Sequence, residues 1–315
     1  MFDIIDIEED TLFSTQYDAV LCCSGYEQRA RFLPKQLLKR KAYGDSKRLL
    51  ISFNDFLDHP ERTANDGFFE RFGFIKFCEN WQVYGNISER LVQLCSEKDG
   101  TFRLLVDYSA MRRTIYSEII YLMKALKNRI NLEVTFSYSV GVPSGSHRPK
   151  VISDYLLLPG FEGNTDSQRE KFAIYCLGFE PIILRSIHEW IEPSASIAFY
   201  AEPGMGPRSG SRCLQLNKRF LEESDCPAYP APLWSVRHFV RLFVEATKHA
   251  IIDRDVMVFS CGPKPFVLAT LLGSSHLLSP SHVYARGVES QAVDSRSTGK
   301  IVATRVVVAL DRGLL

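Results

Sequence analysis

The sequence lacks the features that would place it in several large classes of protein. No apolar run approaches the roughly 20 residues that a membrane-spanning helix needs, and the first ten residues, MFDIIDIEED, are acidic where a secretory signal is basic. A cytoplasmic protein with no membrane partner is expected. No C-x-x-C pair occurs among the eight cysteines (Cys22, Cys23, Cys78, Cys95, Cys176, Cys213, Cys226 and Cys261), and no cysteine or carboxylate stands at a ligand spacing from His276 or His282. That leaves no disulfide framework and no metal site to predict. Charge of one sign is also missing: 38 Lys+Arg against 37 Asp+Glu give a net charge of +1 over 315 residues. Long duplex nucleic acid is therefore not an expected partner, and any anion site must be local. Neither G-x-G-x-x-G nor G-x-x-x-x-G-K-[ST] occurs, so no cofactor is expected.

What is present is repetition. YDAVLCCSGYEQRARFL (Tyr17 to Leu33) and FAIYCLGFEPIILRSI (Phe172 to Ile187) each read as an apolar strand, a Gly-aromatic-Glu turn and a helix, with Gly25 and Gly178 153 residues apart. FRLLVDYSAMRRTIYSEIIYLM (from Phe102) matches DVMVFSCGPKPFVLATLL (from Asp255), pairing Arg112 with Lys264 at an offset of 152. TFSYSVGV matches HVYARGV at an offset of 146, and KVISDYLLLPG matches KIVATRVVVALDRG at 150. Four matches in one order at nearly the same spacing predict a tandem duplication.

The fold class expected is α/β: two Rossmann-like, mostly parallel sheet units, each closed by an antiparallel strand pair at its C-terminal end. The early apolar runs suit parallel strands covered on both faces, whereas the last two strands of each half are joined by polar loops too short for a helical crossover. Strands are predicted at Asp18–Cys23, Arg48–Phe53, Phe102–Asp107, Glu133–Ser139 and Val151–Leu158, then at Lys171–Leu177, Ser196–Ala201, Asp255–Ser260, Ser281–Arg286 and Ile301–Leu310. The domains predicted are residues 1–158 and 171–315, with the Gly-rich polar stretch 159–170 as linker.

Ligands of open parallel sheets bind beyond the carboxyl ends of the strands, so the turns there supply the candidate residues. Gly25 and Tyr26 follow the first strand, where Glu27 is accounted for by the helix dipole alone. DYSAMRR follows a later strand, with Ser109 as a cap and Arg112 and Arg113 in the first helical turn, a place where cations need a compensating anion. Gly262 and Lys264 occupy the matching turn SCGPKP, with Pro265 preset for a helix start. EPGMGPRSGSR (Glu202 to Arg212) could wrap an anion in a backbone nest with Arg208 and Arg212 supplying charge; a plain surface loop is the alternative. Asp55, Asp58, His59 and Glu61 in a first-half loop suit acid/base or metal chemistry, or helix capping and solvation. Trp234, Phe239, Leu242 and Phe243 read as the core face of a helix.

The segments SCGPKPFVLATLL and, more loosely, DYSAMRRTIYSEII resemble the turn-plus-cation segment of the CRISPR-associated Rossmann fold (CARF) sensor domains, with Ala110 and Met111 where that family usually has glycine. Two fused copies are similar to the single-chain pseudo-dimers of the related SAVED sensors. The resemblance implies a nucleotide ligand, in that family often a cyclic oligonucleotide, and a role in antiviral defence signalling through a protein effector or self-assembly. Three readings stay open: a sensor of a nucleotide-like or phosphorylated small molecule, an enzyme acting on a nucleotide or phosphosugar with Asp107 or the Asp55–Glu61 loop as acid or base, and a protein–protein adaptor. Turnover separates the second from the first. Partner binding that survives Lys264→Ala and Arg112→Ala marks the third.

Overall fold

A computed structural model describes residues 2–80, 82–126, 129, 131–143, 151–163, 168–206, 208–277, 280–288 and 294–308, without the side chains of residues 143, 151 and 286–288. In chain order the elements are β1 (Phe2–Ile7), α1 (Glu9–Ser14), β2 (Ala19–Ser24), a 3-10 turn (Gln28–Arg31), α2 (Phe32–Lys39), β3 (Lys47–Ser52), α3 (Pro60–Arg71), β4 (Ile75–Lys76), α4 (Asn86–Ser96), β5 (Phe102–Asp107), α5 (Arg113–Ala125) and β6 (Leu132–Pro143). They continue with β7 (Val151–Leu157), β8 (Lys171–Cys176), α6 (Pro181–Ile191), β9 (Ala195–Ala201), α7 (Ser209–Glu223), β10 (Ala228–Ala231), α8 (Val236–Thr247), α9 (Ala250–Asp253), β11 (Asp255–Ser260), α10 (Lys264–Ser274), β12 (Ser281–Val288) and β13 (Ser295–Val308). All ten predicted strands form, Ala309 and Leu310 lying outside the described residues. β1 and the short strands β4 and β10 are additional.

The strands make two mixed, mostly parallel sheets, ordered β1-β13-β6-β5-β2-β3-β4 and β10-β9-β8-β11-β12-β7. Within each, the five parallel strands follow the order 3-2-1-4-5 that defines a Rossmann-like unit. The duplication read from the sequence is thus repeated in topology. Its physical basis is direct: β2, β5, β8 and β11 are almost wholly buried along their length, as strands covered by helices on both faces must be. In the second sheet Ala173, Tyr175 and Leu177 meet Ile183, Leu184 and Ile187 of α6 and Phe220 of α7. Phe199 instead meets Phe239 of α8, which packs 4.2 Å from Phe266 of α10. From Pro265 to Ser274, α10 is buried on every side, which its lack of amphipathicity requires. Phe239 and Phe243 of α8 are core, as their spacing predicts, and Arg237, His238 and Arg241 are exposed. Among the described residues no helix is long and apolar enough to cross a membrane.

The closing strands differ from expectation. β6 does not pair with β7, its successor in the chain; it pairs antiparallel with β13, while β12 pairs antiparallel with β7. The chain therefore divides into unit 1, Met1–His147 with Gln291–Leu315, and unit 2, Arg148–Ser290, rather than at 1–158 and 171–315. Side-chain chemistry favours this exchange. Glu133 at the start of β6 meets Arg305 of β13 at 3.5 Å, and β7, VISDYLL, carries no cation to offer it. β13 also has a second partner, since β1 pairs along its other edge. The stretch 159–170 is not a linker either. Phe161 is buried against His282, and the two residues' backbones bond at 2.8 Å; Asn164–Ser167 lie outside the described residues.

Candidate functional sites at the strand switch points

In a 3-2-1-4-5 sheet the connections after the first and fourth strands leave on opposite sides, opening a crevice at the carboxyl ends. In unit 1 these strands are β2 and β5; in unit 2 they are β8 and β11. Gly25, Tyr26, Ser109, Arg112 and Arg113 follow the first pair. Gly262 and Lys264 follow β11, beside Gly178 and Phe179 after β8.

The unit 1 crevice is lined by groups that already answer one another. The Gly25 carbonyl accepts from the Asn65 amide of α3 at 2.6 Å, and the same amide donates to the Glu27 carbonyl at 3.0 Å. A side chain at Gly25 would touch the Phe53 ring at 3.4 Å. Tyr26 sets its ring edge-on to Phe56, centroids 4.9 Å apart, with His59 at 6.1 Å. Arg29 is buried between the Glu27 carboxylate and the Tyr138 hydroxyl. Burial alone would lower its pKa, but those two partners outweigh it and hold the guanidinium charged.

At the end of β5, Asp107 accepts from the Ser109 backbone N–H at 3.1 Å and from its hydroxyl, and the same hydroxyl accepts from the Ser139 N–H at 2.7 Å. Ser109 is fully buried, so it ties β5 to β6. Arg112 precedes the first residue of α5 and does have a compensating anion, the Asp55 carboxylate, while its guanidinium lies 5.1 Å above Phe53. Arg113, not Arg112, is the first residue of α5 and so stands level with Lys264 of α10. The loop carboxylates do not gather into a site. Asp55 pairs with Arg112 and Glu61 with Arg31, while the His59 ring accepts from the Glu61 N–H at 3.2 Å to cap α3.

Unit 2 repeats the scaffold with a different charge balance. The Asn217 amide of α7 donates to the Gly178 carbonyl at 2.9 Å and to the Cys213 carbonyl at 2.8 Å. Gly178 lies against the Cys261 carbonyl so closely that no Cβ fits, and a Cβ on Gly262 would stand 3.0 Å from the Leu177 carbonyl. The two turns thus touch backbone to backbone, which accounts for both glycines. Burial pushes the Cys213 thiol up to about 11, so it stays protonated beside the Gly178 carbonyl at 3.4 Å. Lys264, half-buried, opens α10.

The EPGMGPRSGSR loop runs into α7, with Pro207 outside the described residues. The Glu202 carboxylate packs against Gly210 in the first turn of that helix, where the dipole favours an anion. Arg208 and Arg212, both exposed, make no ion pair among the described residues. Arg212 lies 5.8 Å over the Phe179 ring, so the aromatic residue of the first turn faces a guanidinium here and another aromatic in unit 1.

Asn65 and Asn217 were not singled out by motif reasoning, yet a signal exists. N-D-G-F-F-E at Asn65 and N-K-R-F-L-E at Asn217 share N-x-x-F-[FL]-E at an offset of 152, within the range of the other repeats. Arg29 and Arg62 have carboxylates close by in sequence, Glu27 and Asp66, but their burial becomes visible only in the fold. A cleft of about 380 Å³ lies at the other end of the unit 1 strands, lined by Asp18, Lys47, Glu97, Lys98 and Arg103. Its charges pair among themselves, Lys47 with Glu97 at 2.7 Å and Lys98 with Asp18 at 2.6 Å, so it presents no excess charge to a ligand. In comparison with known proteins, the chain matches no family model and no curated protein.

Proposed function

We propose that the chain binds a nucleotide or another phosphorylated small molecule at the carboxyl-end crevice of unit 2, and acts as a sensor through a protein effector or through self-assembly. The observation that carries this reading is Arg212, a guanidinium with no carboxylate partner among the described residues, poised over Phe179 at the turn that also holds Gly178. An aromatic face beside an uncompensated cation suits a base next to a phosphate. The backbone contact of the Gly178 and Gly262 turns keeps bulky side chains away from the strand ends, and Lys264 adds a second cation at the start of α10, two residues after Gly262. The resemblance of SCGPKPFVLATLL to CARF and SAVED sensors supports the same reading, and with it come a cyclic oligonucleotide as ligand, a cytoplasmic setting and a part in antiviral defence.

Isothermal titration against linear and cyclic nucleotides tests it. Binding by the wild type should weaken about tenfold in Arg212→Ala, the loss of one charge-assisted hydrogen bond, and should weaken with added salt. Binding that is indifferent to Arg212→Ala, Phe179→Ala and Lys264→Ala would place the ligand elsewhere.

A further inference from the structure

The unit 1 crevice is covered by its own chain. The segment Asn54–His59, between β3 and α3, reaches both turns at once: Phe56 meets the ring of Tyr26 after β2, and Asp55 pairs with Arg112 after β5. An aromatic ring on Tyr26 and an anion on Arg112 are the two contacts that a nucleotide base and its phosphate would make there. The segment is held in place deliberately by the fold. Arg62 of α3, buried and ion-paired with Asp66 at 2.8 Å, donates to the Phe53 carbonyl and, at 3.3 Å, to the Asp55 carbonyl. Phe56 also adopts φ +50°, a left-handed conformation that is unfavourable for a bulky residue and persists only where surrounding contacts impose it. In the matching loop of unit 2, Glu202 packs on Gly210, and the ring of Phe179 faces Arg212.

We propose that Asn54–His59 is a built-in occupant of the unit 1 crevice, with Phe56 in the place of a base and Asp55 in the place of a phosphate, so that unit 1 takes an aromatic phosphate ligand only when this segment is displaced. The inference rests on the reading of the switch points as nucleotide sites, and it makes the two units unequal: the ring after the first strand faces an aromatic of its own chain in unit 1 and a guanidinium in unit 2.

Hydrogen exchange of the full chain tests it, comparing wild type with Asp55→Asn/Phe56→Gly, alone and with ATP as probe. Both substitutions fall on a part-exposed loop, and glycine accepts positive φ without strain; unchanged exchange in β6 and β13, which belong to the same unit, confirms that unit 1 of the variant is folded. Without ATP, peptides covering Ser24–Arg31 and Tyr108–Arg113 should exchange about threefold faster in the variant, the scale of one part-exposed ion pair. With ATP, those peptides should become protected in the variant and not in the wild type. Failure of either change overturns the proposal. Absence of ATP protection at Leu177–Glu180 and Cys261–Phe266 in both proteins counts against the unit 2 reading, and is seen independently of the unit 1 peptides.

Discussion

Two glycines in the chain illustrate how differently one residue type is constrained. Gly178 has no room for a Cβ against the Cys261 carbonyl, whereas Gly67 in α3 has nothing within 4 Å of where a Cβ would sit. Gly178→Ala must push two backbone turns apart and is expected to lose at least about 2 kcal/mol of unfolding free energy, as overpacked sites do. Gly67→Ala is expected to gain about 0.5–1 kcal/mol from helix propensity and the stiffer unfolded chain. Urea denaturation of the two variants checks both signs. Asn217→Ala, which removes the amide donor from the Gly178 carbonyl, should cost about 1–3 kcal/mol in the same assay. Asn65→Ala should behave alike, because its amide holds the equivalent Gly25 carbonyl.

Among the elements, β12 carries a group with a readable pH dependence. His282 is fully buried, its Nε2 2.7 Å from the Ser274 hydroxyl of α10, and desolvation holds its pKa down to about 3 against 6.5 when free. The unfolded chain therefore binds a proton between those values that the folded chain refuses. The stability linked to His282 is fully present above pH 6.5 and is lost as pH falls toward 3, amounting to at most about 3 kcal/mol by pH 4. Denaturation midpoints of wild type and His282→Leu should converge as the pH is lowered through this window; parallel curves would contradict the assignment.

Element scale is also where the sequence was most legible and where it misled. Phe102–Asp107 and Asp255–Ser260 are predicted to the residue because a continuous apolar run bounded by polar turns marks a doubly covered strand. β4, two residues long, and β10, with Pro230 at a sheet edge, have no such run. The exchange of β7 and β13 leaves no local mark, since a strand that can close its own unit can close the other by the same antiparallel ladder; the Glu133–Arg305 pair becomes visible only across 172 residues of sequence. The candidate site was partly legible for the same reason. Small-residue turns and their cations can be read from a repeat, but the partners that neutralise Arg112 or bury Ser109 come from other elements.

For the whole molecule, the exchange fixes which pieces of chain can fold alone. Unit 2 is one contiguous segment, Arg148–Ser290, whereas unit 1 needs residues from both ends. A fragment of residues 148–290 should give a cooperative thermal transition and a dispersed NMR spectrum. A fragment of residues 171–315 lacks β7 and carries β13 without β6 or β1 to receive it, leaving open edges; it should aggregate or unfold at markedly lower temperature. The charge distribution divides the same way. Unit 1 answers Arg112 with Asp55 and Arg29 with Glu27, while unit 2 leaves Arg208 and Arg212 without ion pairs among the described residues.

The most direct measurement is native mass spectrometry of the full chain, with and without a panel of linear and cyclic nucleotides, beside Arg212→Ala. The account predicts one phosphate-containing ligand per wild-type chain and its loss from the variant. A wild-type mass that stays that of the bare polypeptide across the panel, or a bound ligand retained equally by Arg212→Ala, would contradict it.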